Sequence, residues 1–256
     1  MERITSRQNP LLTQIRKLQK GRAARVAAGL YIGDSPKLME EAIHHQAELQ
    51  TVVLSDGIEV PELPAQVRCV VVPEEVMASV SPMQTPQGIL FLAKRPDTRP
   101  PASLNGNRYL VLDGVQDPGN VGTIWRTADA FGADGLILIH GCADPFGPKT
   151  IRATMGAAFR LPVWEMEEED LLRLLEQARL PLFGTALRSD TEDVRCVRMD
   201  RAAVAIGSEG RGLSESLLMH CEKTLRIPMR PRCESLNAAV AASVILWEMD
   251  RPHQLD

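Results

Sequence analysis

Three segments rich in glycine, asparagine and serine each follow an apolar run typical of a β-strand: residues 113–138, 206–214 and 227–243. Turns at the carboxyl ends of parallel strands leave backbone N–H groups open, and α/β proteins bind small molecules there. Because two of these turns lead directly into a helix, the segments predict a small-molecule site at one edge of a sheet.

The first segment contains a predicted helix with a buried apolar stripe. The stripe consists of Val121, Ile124, Trp125, Ala128 and Phe131. Arg126 lies outside it, on the side of Gly122 and Asp129. Helix physics alone favours an exposed Arg126–Asp129 pair, which stabilises a helix by roughly 0.2–0.5 kcal/mol; a cation available for chemistry is the other interpretation. Asn120 is predicted to be the helix N-cap.

The second segment places Gly207, Gly210 and Gly212 close together after a buried strand. Glycine at this density allows positive φ and lets the backbone approach a ligand. Glu209 lies on the same loop, and Ser214 is predicted to cap the next helix. The spacing is neither the dinucleotide G-x-G-x-x-G pattern nor a P-loop. An ordinary strand–turn–helix connection is the alternative.

The third segment runs from a strand into a helix predicted over residues 236–249. Ser235 is the predicted N-cap, and Asn237 lies in the first turn, where its amide can face outward. The alternative is a plain polar residue in a first turn. Small side chains in residues 238–243 allow the helix to pack closely on its neighbours.

The elements around these segments predict a doubly wound parallel α/β sheet in residues 109–256. Strands such as 202–206 are apolar on both faces, as expected when helices cover both sides of a parallel sheet. The predicted strands are 109–112, 135–139, 161–163, 182–186, 202–206 and 224–227. The predicted helices are 121–131, 149–159, 170–178, 215–220 and 236–249.

Residues 1–95 predict a separate, small α/β domain, because helices and strands alternate there as well. The predicted helices are 10–28 and 36–46, and the predicted strands are 30–33, 51–54, 67–72 and 89–93. A proline-rich segment with the composition of an exposed linker follows, and we place the linker at residues 96–108.

Although the net charge is −4, the first 30 residues carry more basic than acidic side chains. Seven cations there face one acid, Glu2: Arg3, Arg7, Arg16, Lys17, Lys20, Arg22 and Arg25. A basic arm can contact RNA phosphates even in a mildly acidic chain. The solvated face of a terminal helix explains the same charges equally well.

The five cysteines are scattered, odd in number and without a C-x-x-C pair. They predict reduced thiols in a cytoplasmic protein. The N-terminal residues lack the apolar region of a secretory signal, and the longest apolar run, residues 238–247, is about half a membrane span. The histidines have no metal-ligand spacing, so we expect no metal site and no membrane partner.

In this order, the three segments resemble the SpoU (TrmH) family of RNA ribose 2′-O-methyltransferases, within the SPOUT trefoil-knot superfamily. Asn120, Gly122, Arg126, Phe131 and Gly132 match the family's N-x-G-x-x-x-R and later Phe-Gly. Residues 207–214 match its G-S-E-G-x-G-L-S loop, and residues 227–229 and 235–237 match I-P-M and S-L-N. Residues 144–163 resemble its P-K-x-x-R-A-S/T-M-G segment, and residues 4–10 open a domain resembling its L30e-like RNA-binding domain.

The resemblance covers essentially the whole chain and implies a trefoil-knotted α/β domain, S-adenosylmethionine as cofactor, and a homodimer with its active site near the subunit interface. The implied cofactor contacts are Gly207, Ser208, Glu209, Gly210, Gly212, Ile227, Met229, Ser235 and Leu236. Two positions depart from the family: Pro231 replaces a common glycine, and Asp34-Ser35 replaces a common Glu-Gly.

The resemblance also implies that Arg126 is catalytic, with Asn120, Glu209, Ser235 and Asn237 orienting it and the ribose. The family's arginine is regarded as a base. A guanidinium is effectively always protonated, however. We therefore predict that Arg126 stabilises the developing alkoxide on the 2′-oxygen.

The predicted function is 2′-O-methylation of RNA, with ribosomal RNA favoured over tRNA because the N-terminal domain is separate. A non-catalytic RNA-binding or ribosome-assembly protein on the same scaffold is the second hypothesis; the intact set Asn120, Arg126, Glu209 and Asn237 argues against it. A nucleotide-binding oxidoreductase is the third, and the missing G-x-G-x-x-G pattern argues against that.

Overall fold

A computed structural model describes residues 2–188, 190–230, 232 and 235–251. The helices are α1 (Pro10–Lys20), α2 (Arg22–Ala28), α3 (Pro36–His44), α4 (Glu74–Val80), α5 (Pro118–Ala130), α6 (Pro148–Thr154), α7 (Glu168–Ala178), α8 (Glu215–Met219) and α9 (Ala238–Asp250). The strands are β1 (Glu2–Arg3), β2 (Leu30–Gly33), β3 (Leu49–Ser55), β4 (Arg68–Val72), β5 (Ile89–Lys94), β6 (Arg108–Asp113), β7 (Gly135–Ile139), β8 (Val163–Glu165), β9 (Leu182–Thr185), β10 (Glu192–Asp193), β11 (Ala202–Gly207) and β12 (Lys223–Arg226).

The chain forms two compact units. The first comprises Met1–Pro96 and Asp144–Phe159, and the second comprises Asp97–Ala143 and Arg160–Asp256. The segment Asp144–Phe159, which the sequence-based boundaries assign to the second domain, is therefore grouped with the first unit by its contacts.

The first unit is a five-stranded mixed sheet in the order β1-β4-β3-β5-β2. Its core lies between the sheet and the helices α1 and α4, whose buried residues include Leu12, Ile15 and Val76. One predicted helix, 10–28, is wrong as a single element: Gly21 has an extended backbone (φ −129°, ψ 124°) and separates α1 from α2. The sequence analysis did not predict β1 or α4.

Two ion pairs with carboxylates of low exposure attach the segment Asp144–Phe159 within the first unit. The guanidinium of Arg25 donates to Asp144 over 2.6 Å, and the two side chains are only 7% and 12% exposed. Arg152 donates to Asp34, whose side chain is 2% exposed. Asp34, one of the two departures from the family pattern, thus holds Arg152.

The second unit is a seven-stranded parallel sheet in the order β10-β12-β9-β11-β6-β7-β8. The doubly wound α/β class predicted for it is confirmed. From β6 the chain moves outward to β7 and β8, and β11 later adds to the opposite side of β6. The boundary between β6 and β11 is therefore the switch point of the sheet, where loops from the two directions diverge and leave a crevice.

All six strands predicted for this unit are present, with ends shifted by no more than two residues, and β10 was not predicted. The predicted helix 149–159, which belongs to the first unit, is too long. α6 stops at Thr154 because Met155 and Gly156 adopt positive φ (49° and 99°), and a separate 3-10 turn, Ala157–Phe159, follows.

Candidate functional site

Three side chains from the three sequence motifs form one hydrogen-bonded chain, which we call the amide network: Glu209, Asn120 and Asn237. The amide nitrogen of Asn120 donates to the Glu209 carboxylate. The amide nitrogen of Asn237 donates to the Asn120 oxygen over 3.1 Å. These residues are 89 and 117 positions apart in sequence, so the fold alone brings them together.

The orientation of the amide network follows from the start of α9. The Asn237 side-chain oxygen accepts from the backbone N–H groups of Ala239 (2.9 Å) and Val240 (3.3 Å). Its nitrogen is therefore the end that faces Asn120. The Asn120 oxygen then accepts, which leaves its nitrogen to donate to a carboxylate that can only accept. A helix cap thus fixes the polarity of the whole network.

Two of the three predicted N-caps are wrong, by three residues in α5 and by two in α9. Asp117, not Asn120, caps α5: its side chain accepts from the backbone N–H of Asn120 over 3.0 Å. Asn237, not Ser235, caps α9. Asp and Asn are as good at N-caps as the residues predicted there. In α5 the earlier cap frees the Asn120 side chain for the amide network. The predicted Ser214 cap of α8 is present.

A cavity of about 380 Å³ lies beside the amide network. Its lining includes all nine residues expected to contact the cofactor: Gly207, Ser208, Glu209, Gly210, Gly212, Ile227, Met229, Ser235 and Leu236. The lining also includes a part that sequence reasoning missed, Thr185–Arg188, which begins at the last residue of β9. Its position at the carboxyl end of a central strand is the sequence feature that could have identified it as part of a ligand site.

The glycine loop, residues 207–214, folds back on itself and forms part of the cavity wall. Ser208 and Gly212 exchange two backbone hydrogen bonds of 3.1 and 2.9 Å. Gly207 sits directly against this bridge, since a Cβ there would lie 2.1 Å from the Gly212 carbonyl carbon. Gly212 has φ +70°, which suits glycine. These glycines shape one wall of the cavity.

Arg126 is exposed on α5 and is not part of the amide network. Within the described residues it forms no hydrogen bond or ion pair. The pairing with Asp129 that helix physics favours is wrong, because Asp129 instead binds Arg160 over 2.8 Å. The structure of one chain therefore unites four of the five predicted catalytic residues around one cavity (Asn120, Glu209, Ser235 and Asn237) and leaves Arg126 apart.

Several of the seven N-terminal cations are engaged with other residues, and Arg22 is one of them. Arg3 pairs with Asp56, Arg16 donates to the carbonyl oxygen of Arg7, and Arg25 pairs with the carboxylate described above. The exposed side chains of Lys17 and Lys20, by contrast, make no ion pair among the residues described. The basic arm is thus less cationic than its composition indicates.

Other expectations concern thiols, metals and membranes. Cys69, Cys142, Cys196 and Cys221 are free thiols. Pro231, Cys233 and His253 lie outside the described residues. In the described ranges no cluster of three or more His, Cys, Asp or Glu side chains could hold a metal ion, and no helix has the length and hydropathy needed to cross a membrane.

Two family profiles match adjoining parts of the chain: the SpoU rRNA Methylase family over residues 107–247 and the MRM3-like substrate binding domain over residues 9–91. The 23S rRNA (guanosine(2553)-2'-O)-methyltransferase RlmP of Bacillus subtilis is 29% identical over 97% of this chain and 99% of its own length. An uncharacterised tRNA/rRNA methyltransferase of Synechocystis is 33% identical over 97% of this chain and 93% of its own. A crystal structure of an AdoMet-bound rRNA methyltransferase from Sinorhizobium meliloti superimposes with a TM-score of 0.87 at 30% identity, over 100% of this chain and 99% of that one.

Proposed function

The chain belongs to the SpoU rRNA methylase family, and we propose that it transfers a methyl group from S-adenosylmethionine to a ribose 2′-hydroxyl of ribosomal RNA. The relative from Bacillus subtilis is named for this reaction on 23S rRNA. The match to a substrate-binding domain over residues 9–91 supports ribosomal RNA over tRNA. A cytoplasmic location agrees with this substrate and with the free thiols.

The cavity beside the amide network fits S-adenosylmethionine. Its volume lies in the range of sites for ligands of this size, roughly 300–1,000 Å³. Apolar side chains such as Leu225 and Ile227 can face an adenine ring, and the glycine loop offers backbone groups to polar atoms. When bound, the cofactor supplies a methyl group on a positively charged sulfur. We assign its contacts to the nine residues named above.

The amide network is proposed to orient the ribose at the edge of this cavity. Glu209 lines the cavity, and one of its carboxylate oxygens accepts from Asn120. The other Glu209 oxygen can therefore accept from a ribose hydroxyl other than the attacking one. Asn237 holds Asn120 from the opposite side. Ser235, on the cavity wall, is a further hydroxyl available to the substrate. A fixed orientation of the attacking oxygen lowers the barrier by removing reactant entropy.

Arg126 is proposed to act as the cation of the reaction. Loss of the hydroxyl proton to solvent leaves negative charge on the 2′-oxygen, which would then bond to the methyl carbon as the carbon–sulfur bond breaks. A permanently protonated guanidinium stabilises the charge on the oxygen until the new bond consumes it. The free state of Arg126 within one chain supports this role, because no carboxylate of the described residues neutralises it.

We further propose that the protein is a homodimer whose contact is the apolar face of α9. Val240 and Trp247 lie seven residues apart on this face and are 49% and 61% exposed. Trp247 stacks edge-on against Phe131, next to the end of α5 that follows Arg126. Burying this face against a second copy brings each α5 to the subunit interface, where Arg126 can serve the partner's cavity. We also propose that the second unit contains the trefoil knot that the family resemblance implies.

A charged substitution tests the dimer. Trp247→Glu places a carboxylate in the proposed contact and should shift the protein to monomers in sedimentation velocity. Methyl transfer should fall with it, if Arg126 serves the partner's cavity. Met219 is 75% exposed at the end of α8 and does not line the cofactor cavity, so Met219→Glu is the matched control and should leave the assembly state and methyl transfer unchanged. A dimeric Trp247→Glu protein would reject this contact.

The activity is tested with tritium-labelled S-adenosylmethionine and undermethylated total RNA. Label in ribosomal RNA that persists in a dinucleotide after alkaline hydrolysis is the expected result, because a 2′-O-methyl group blocks cleavage. Arg126→Ala should lower turnover by orders of magnitude while cofactor affinity barely changes; equal loss of both would mean that the arginine is structural. Cofactor binding without transfer to any RNA would favour the non-catalytic RNA-binding alternative, and label in tRNA alone would favour a tRNA enzyme.

A further inference from the structure

A buried carboxylate at the switch point of the sheet ties together both ends of the glycine loop. Asp113 is the last residue of β6 and is 4% exposed. In the parallel register it lies beside Gly207, where the loop begins. Its Oδ2 accepts the backbone N–H of Ser214, where the loop ends, over 2.7 Å. The Asp113 side chain therefore links the residue at which the loop begins to the residue at which it ends.

A histidine in an unusual backbone conformation holds this carboxylate. His140 follows β7, and its Nδ1 lies 2.7 Å from Asp113 Oδ1. His140 has φ +51°, a left-handed conformation that costs a residue with a Cβ. Its other ring nitrogen, Nε2, lies 3.2 Å from a carboxylate oxygen of Glu168. The imidazole is thus held between two carboxylates.

Glu168, the second carboxylate beside His140, has further partners of its own. Glu168, 14% exposed, accepts from the Ser216 hydroxyl over 2.7 Å and lies 3.6 Å from the ring of His220. Burial, with the carboxylates of Asp113 and Glu168, raises the pKa of Cys221 to about 11. Neither Asp113 nor His140 lines the cofactor cavity. Their influence on a bound ligand must therefore pass through the backbone of the glycine loop.

We propose that Asp113 and His140 are positioning residues for the glycine loop and thereby set the affinity for S-adenosylmethionine without taking part in methyl transfer. His140 fixes the rotamer of the Asp113 carboxylate, and the carboxylate fixes the N–H of Ser214. This inference rests on the proposed assignment of the glycine loop to the cofactor. Loss of either side chain frees the loop end, so ordering the loop becomes part of the cost of binding.

His140→Gly separates positioning from stability. Glycine adopts φ +51° without the steric cost of a Cβ, so relief of strain offsets lost contacts and the melting temperature should stay near that of the unmodified protein. The Kd and KM for S-adenosylmethionine should nevertheless rise about tenfold, with kcat changed less than twofold. His140→Gln retains an amide that can donate to one carboxylate and should recover part of the affinity. His45→Ala removes a histidine of the first unit that pairs with Glu41, and it is the matched control.

Calorimetric titration of the full chain with S-adenosylmethionine and steady-state kinetics decide the outcome. A fall in kcat with unchanged KM, or loss of melting temperature in proportion to loss of affinity, would overturn the inference. Asp113→Asn should act in the same direction, and if that variant does not fold, the two His140 variants decide alone. Gly207→Ala is measured alongside. If it weakens cofactor binding while His140→Gly does not affect it, only the present inference fails. If Gly207→Ala binds normally, the assignment of the loop to the cofactor fails, and the inference with it.

Discussion

Replacing Gly207 by alanine tests whether the shape of the glycine loop decides cofactor binding. The new Cβ would lie 2.1 Å from the carbonyl carbon of Gly212 and 2.3 Å from both its oxygen and the nitrogen of Leu213. Favourable carbon contacts begin at about 3.5 Å. These are backbone atoms between two anchored ends, so no side-chain rotation can relieve the overlap, and the far strand of the loop must move outward by more than about 1 Å.

The cost of that movement follows from the bonds that it breaks. The two hydrogen bonds between Ser208 and Gly212 each contribute about 0.5–1.5 kcal/mol, so their loss amounts to about 1–3 kcal/mol. Because about 1.4 kcal/mol corresponds to a tenfold change in affinity, S-adenosylmethionine should bind about 5- to 150-fold more weakly. The strand β11 itself stays paired with β6 and β9, so the fold should survive.

Gly210→Ala is the matched control in the same loop, because the contact proposed for Gly210 is made by its backbone, which alanine retains. A Cβ at this position meets none of the described atoms within 4 Å, and Gly210 does not have positive φ. Isothermal titration calorimetry with S-adenosylmethionine should therefore show near-normal affinity for Gly210→Ala and weak binding for Gly207→Ala, with both proteins folded by circular dichroism. Equal affinities of the two variants would refute the reasoning.

Two further predictions concern stability and thiol reactivity. Arg25→Ala leaves a carboxylate of low exposure without its partner and should lower the free energy of unfolding by about 3–5 kcal/mol in urea titrations, whereas Arg3→Ala, in an exposed pair, should change it little. Burial raises the pKa of Cys142 to about 11, so its thiolate appears only as the pH approaches 11. At pH 8, mass spectrometry should find iodoacetamide on the exposed Cys196 and little on Cys142 or Cys221.

Both the stability measurement and the thiol labelling can contradict the structure directly. Similar losses for Arg25→Ala and Arg3→Ala would mean that the first pair is not buried as described. Rapid alkylation of Cys142 in the folded protein at pH 8 would mean that its thiol is accessible. Repeating the labelling in urea gives the control, because every described thiol should then react.

The sequence determined the placement of the strands and of the chemistry that follows them. Apolar runs bounded by turn residues predicted six of the seven strands of the second unit to within two residues, since strand ends in a parallel sheet coincide with the turns that the local sequence encodes. The nine expected cofactor contacts came from the resemblance to the SpoU family, whose motifs lie on those turns, and all nine line one cavity.

Tertiary structure decided which polar side chain takes which partner. Asn120 and Asp117 are both good N-caps, and the local sequence does not choose between them. The choice of Asp117 frees Asn120 to bind residues 89 and 117 positions away. Asp129 likewise pairs with Arg160, 31 residues on, rather than with its neighbour Arg126.

The same holds for the division into units and for the loop anchor. Periodicity cannot show that residues 144–159 pack with the N-terminal unit, because the ion pairs that attach them join side chains 118 and 119 positions apart. Nor can it show that Asp113, His140 and Ser214 meet. Local sequence specifies φ, ψ and apolar spacing over a few residues, whereas partners distant in the chain are selected only when the sheet closes and buried polar groups must each find a hydrogen bond.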